Sequence, residues 1–175
     1  MWLPDALTRP LVVLALSLAL TGCFRPMYAS QDGAPALTDE LARISIDRVS
    51  MAQTDEERVS QRVRNELLYL FSAGEATDAP YNLVVTLTQQ IEDAAVQPTG
   101  EAVTRMYELR ASFTLIDVAN GGVLYGGAAV SRAAHDRSTH LFANQRALLD
   151  AENRAAKTIA GIIKTRVAAY MASRA

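Results

Sequence analysis

The chain has 175 residues, 17 basic and 19 acidic side chains, a net charge of −2 and hydrophobic residues at half of its positions. That balance leaves no basic footprint for nucleic acid, and the single cysteine leaves no partner for an internal disulfide. No apolar run approaches the ~20 residues that a membrane-crossing helix needs.

The first element is Leu11 to Leu20, ten apolar or small residues followed at once by Thr21-Gly22-Cys23. As a helix this run rises about 15 Å against a hydrocarbon core of about 30 Å, so it reads as a secretory leader rather than a span. Leu20-Thr21-Gly22-Cys23 resembles a bacterial lipobox. That resemblance implies a leader at 1–22, a mature chain starting at Cys23, and an S-diacylglycerol and N-acyl lipid on that residue. One buried chain anchors only marginally at about 0.8 kcal/mol per methylene, and several together anchor durably. Phe24 stands where an inner-membrane retention signal would place Asp, which by analogy with lipoprotein sorting implies an outer-membrane destination facing the periplasm. Removing residues 1–22 takes away one acid, Asp5, and one base, Arg9, so the charge stays at −2, and 175 less 22 leaves 153 residues for a single core.

Gly22-Cys23-Phe24-Arg25-Pro26-Met27-Tyr28 resembles the mature start of the LptE family of lipopolysaccharide-assembly lipoproteins, which open with a lipid-bearing Cys and a Phe-Arg-Pro-Leu-Tyr-like string. The chain departs from that string in lacking a small residue between Cys and Phe and in carrying Met27 where Leu is usual. The resemblance implies a two-layer α/β sandwich, a transmembrane β-barrel partner, LptD, and lipopolysaccharide as the transported ligand.

Residues 29–42 are small, polar and acidic, with Gly33 and Pro35 as punctuation, and predict a tether, so that 23–42 forms a lipidated stalk and 43–175 the domain. Arg43 to Ser50 alternates as a half-buried strand. Thr54 to Glu57 spells a capping box, and Val59, Val63, Leu67, Leu70 and Phe71 make one helical stripe, closed by Gly74. Tyr81 to Ile91 alternates with Leu83, Val85, Leu87 and Ile91 on one side. After a turn at Pro98-Thr99-Gly100, Thr104 to Asp117 does the same with Tyr107, Leu109, Ala111, Phe113 and Leu115. Asn120-Gly121-Gly122 predicts a hairpin, and Val123 to Val130 a fourth strand. Ser131 to Asn144 shows no period and reads as a loop. A long helix is predicted over 145–172, with Leu148, Ala155, Ile159, Ile162, Ile163, Val167 and Tyr170 inward, an Asp150–Arg154 pair outward, and Gly161 at a close approach.

The order β-α-β-β-β-α predicts an α+β fold: a two-layer sandwich with a mixed four-stranded sheet and both helices on one face. The other face, with Asn82, Thr86, Thr88, Gln90, Arg110, Ser112 and Thr114, is left uncovered and suits the polar wall inside a β-barrel. His135 and His140 fit no zinc spacing, and the Gly121-Gly122 and Gly126-Gly127 pairs lack a phosphate-loop pattern. With no nucleophile elbow or carboxylate pair to place in a cleft, the expectation is a binding protein, not an enzyme, with no metal and no cofactor besides the lipid. From Tyr125 to Leu149 the bases Arg132, Arg137 and Arg146 face one acid, Asp136, a local excess of +2. Guanidinium forks bind phosphates, so under the LptE resemblance Arg110, Arg132 and Arg137 are candidates for the lipopolysaccharide phosphates. The alternative is an auxiliary lipoprotein of another envelope lipid transporter.

Overall fold

A computed structural model describes residues 37–52, 57–71, 79–96, 102–138 and 140–174. The expected leader, Cys23, the Phe24–Tyr28 string, Thr54 to Glu56 of the capping box, Gly74 and the Pro98–Gly100 turn lie outside the described residues. The elements in chain order are α1 (Leu37–Ala42), β1 (Ile44–Met51), α2 (Glu57–Phe71), β2 (Tyr81–Val96), β3 (Ala102–Asp117), β4 (Val123–Asp136) and α3 (Leu141–Arg174).

The sheet has the order β1-β2-β3-β4. β1 runs parallel to β2, with Ile44 opposite Tyr81 and Met51 opposite Leu87, because the connection passes through α2. The other pairs are antiparallel. This is the predicted α+β architecture, and its cause is visible in the alternation. Leu83, Val85 and Leu87 of β2 and Tyr107, Leu109, Ala111, Phe113 and Leu115 of β3 are buried under α2 and α3, while their even-numbered neighbours turn to the bare face. Val59, Val63, Leu67 and Phe71 bring the stripe of α2 onto that core. The Tyr107 hydroxyl, wholly buried, donates to Gln89 Oε1 at 2.8 Å, so its burial costs no unmet hydrogen bond.

Small residues set the distance between α3 and the sheet. Ala151, Ala155, Ala156, Ala160 and Ala168 are buried on the helix, opposite Ala129 and Ala133 on β4. Gly127 belongs to the same interface: a Cβ there would lie 2.7 Å from Phe113 Cζ. The Phe113 ring fills the space a side chain would take, and Tyr125 continues the aromatic layer, 5.9 Å from Phe113 and stacked on Tyr170 at 4.9 Å. Arg58 of α2 donates to the buried Glu152 of α3, tying the two helices together.

The structure corrects several sequence expectations. Residues 37–42 form a helix rather than tether, because Leu37 and Leu41 bury themselves against α2, α3 and β1. β4 does not end at Val130 but runs to Asp136. Its inward positions there are Ser131 and Ala133, both 4 % exposed and too small to give an apolar rhythm. α3 begins at Leu141, four residues before the expected start, because Leu141 and Phe142 face solvent and add nothing to the stripe. Ile91 is 46 % exposed, since β2 extends beyond the end of β1 at Met51–Leu87 and loses its cover. Gly161 meets no close neighbour: nothing lies within 4 Å of an added Cβ. The hairpin turn stands, with Gly121 at φ 68°, Asp117 N–H bonded to Gly122 O, and Asn120 Oδ1 accepting from Gly122 N–H.

Candidate functional site

The bare face carries a lattice of hydroxyls and amides. Register places Asn82 beside Ile116, Val84 beside Thr114, Thr86 beside Ser112, Thr88 beside Arg110 and Gln90 beside Glu108. Two predicted residues meet there. Arg110 follows Glu108 by two positions on the same face, Arg132 lies directly across from Glu108 on β4, and both guanidinium groups bind the Glu108 carboxylate, one at each oxygen. Glu108 is only 7 % exposed although no helix covers it, because the two arginine side chains lie over it while remaining more than half exposed themselves. Burial pushes its pKa up, but the hydrogen bond and charge of Arg132 and the charge and hydrogen bond of Arg110 outweigh that and hold the carboxyl below its ordinary 4.5. The cluster is ionised and carries one net positive charge. Part of each fork is already occupied by the carboxylate, which reduces what Arg110 and Arg132 can offer a phosphate.

Arg137 is not part of this cluster. It sits just past β4, at the rim of a cleft of about 440 Å³ on the helix side, lined also by Arg105, His135, Leu141, Asn144, Gln145 and Leu148. Arg105 and His135 are paired across β3 and β4, and Arg105 Nε binds Asp93 Oδ1 at 3.0 Å. The His135 Nδ1 atom is buried without a hydrogen-bond partner. Burial and the charges of Arg105 and Arg154, opposed by Asp136, lower the His135 pKa below its ordinary 6.5, so the imidazole is neutral at neutral pH. The cleft therefore joins cationic forks and a polar nitrogen to two leucines, the exposed Leu141 and the half-buried Leu148. Such a set suits an anionic group on an apolar body. Among the described residues no three His, Cys, Asp or Glu side chains gather as metal ligands do, and no helix is long and apolar enough to cross a membrane.

Glu108 and Arg105 were missed as site residues. A signal for Glu108 existed: it stands twelve residues before Asn120 and Arg132 twelve after, so folding the chain about that turn lays one on the other. Arg105 needs knowledge that β4 continues to His135, which the loop reading of 131–144 hid.

The fold is thus that of a helix-backed α+β sandwich with one sheet face that no other element among the described residues covers. No family model and no curated protein sequence matches it. Solved structures do. One, provisionally named a lipoprotein, from Caulobacter crescentus CB15, aligns with a TM-score of 0.62 at 20% identity, covering 79% of this chain and 97% of its own. Another, the rare lipoprotein B of Shewanella oneidensis, aligns with a TM-score of 0.56 at 14% identity, covering 74% and 96%. The chain has the fold of these lipoproteins.

Proposed function

We propose that this chain is an outer-membrane lipoprotein of the LptE type, anchored through Cys23, that plugs and helps assemble an LptD-like β-barrel and so takes part in delivering lipopolysaccharide to the cell surface. The observation that carries the proposal is the sheet face left uncovered among the described residues. Its hydroxyls and amides can exchange hydrogen bonds with a polar lumen wall, and its central charges, Arg110, Glu108 and Arg132, are already paired within the chain. A partner docking there meets ion-paired side chains instead of isolated ions, and its polar groups have one net positive charge to accommodate. The lipobox-like leader, the Phe24–Tyr28 string and the fold shared with lipoproteins support the same reading.

The action is non-covalent: the chain holds, orients and fills, and catalyses nothing. Arg137, sharing its cleft with Arg105, His135, Leu141 and Leu148, contacts the phosphates and acyl boundary of the lipopolysaccharide, while Arg110 and Arg132 contribute secondarily from the sheet face. Mild detergent extraction of tagged chain from envelopes tests the proposal. A large outer-membrane barrel should be recovered with the parent and lost with Ser112→Arg, a bulky charge on the bare face. Recovery with an inner-membrane transporter, or of the chain alone, overturns it.

A further inference from the structure

Hydrogen-bond parity decides which backbone groups of β4 face outward. The Leu87 carbonyl accepts from Ala52 N–H beside β1, so odd-numbered residues of β2 address β1 and even-numbered ones address β3. Carried through the registers, even residues of β3 bond β2 and odd ones bond β4. Tyr107–Ala133 and Leu109–Ser131 are then bonded pairs, and Ala128, Val130, Arg132 and Ala134 turn their N–H and C=O groups away from the sheet.

Two of those carbonyls are taken by the long helix. Arg154 Nη2 donates to Ala134 O at 2.8 Å, and Arg166 Nη1 donates to Ala128 O. The two contacts bracket Val130 and Arg132. β4 itself carries little of the protection that edge strands usually have. It is 14 residues long, contains no proline, and the sequence has no charged residue between Asp117 and Arg132, the latter engaged with Glu108. The protective charge comes from α3.

We propose that the free edge of β4 is a strand-pairing surface for a second copy of this chain, held shut by the Arg154 and Arg166 side chains on its carbonyls. A second copy fits because antiparallel pairing about a two-fold axis at Ala129 sets the uncharged stretch Gly127 to Ser131 against itself, with outward-bonding Ala128 opposite Val130 and Arg132 opposite Gly126, so no like charges meet. The small side chains of Gly126, Gly127, Ala128 and Ala129 leave both backbones open to approach. An incoming strand must first withdraw both guanidinium groups, and each withdrawal exposes a carbonyl that the new strand then satisfies.

The test is sedimentation of the full processed chain in density-matched detergent, across a dilution series. The parent should sediment as a monomer, and Arg154→Ala/Arg166→Ala should double its protein mass at the concentrated end while keeping its far-ultraviolet circular dichroism. Adding Val130→Lys, which puts a charge on the strand itself, should return the double variant to a monomer. A double variant that stays monomeric overturns the proposal, as does association that survives Val130→Lys, the behaviour expected of non-specific aggregation from a damaged fold.

Discussion

The two faces of β3 lie on one strand and differ in what buries them. Toward the helices, Tyr107, Leu109, Ala111, Phe113 and Leu115 are at most 2 % exposed, covered by other elements. Away from the helices, Ser112 and Arg110 lie open, yet Glu108 is 7 % exposed, covered by side chains of its own face. Burial on the first face reports apolar packing that holds the fold. Burial on the second reports charge pairing within the face itself. The difference predicts that substitutions on the first face cost stability, while substitutions on the second change binding and pH response.

The sharpest way to break this comparison is to find equal costs on the two faces. Leu109→Ala removes a wholly buried side chain and should cost about 2–5 kcal/mol in urea unfolding. Gly127→Ala should follow at about 1–3 kcal/mol, because the Phe113 ring occupies the space its Cβ needs and must be displaced. Gly161→Ala should go the other way, gaining up to about 1 kcal/mol, since the helix gains propensity and the added methyl meets nothing. Ser112→Ala on the bare face should stay within about 0.5 kcal/mol of the parent.

Acidification separates the faces by pH window. Glu108 has a folded-state pKa below its ordinary 4.5, so its stabilisation is complete above that pH and is lost as pH falls through the lower folded value. His135 has a folded-state pKa below 6.5, so below that pH the unfolded chain takes up a proton that the folded chain does not. Both lower stability in acid, His135 first. Glu108→Gln should flatten the fall below pH 4.5 alone, and His135→Asn the fall that starts near 6.5 alone, both read from urea midpoints across pH.

Strong alternation made β2, β3 and the stripe of α2 legible in the sequence, and the Asn120-Gly121 turn fixed the β3–β4 register. What escaped has a common physical cause. Where a helix sits close to a strand, only Ser131, Ala133, Ala155 or Ala160 fit between them, and such residues do not contrast with solvent-facing ones as leucine does. The second half of β4 therefore read as loop, and the cleft at its end, with Arg105 and His135, went unseen. Leu37 and Leu41 escaped for another reason: a six-residue helix is too short to establish a period. Under the LptE resemblance Arg110, Arg132 and Arg137 form one set of candidates, whereas the structure puts the first two on the bare face and the third at the cleft beside the helix.

The central claim, that the uncovered sheet face meets a barrel wall, is most directly tested by a photo-crosslinking side chain at Ser112 in living cells. The account predicts one dominant adduct, between this chain and an integral outer-membrane β-barrel protein. Adducts only to soluble or inner-membrane proteins, or no adduct from a folded and abundant chain, would contradict it.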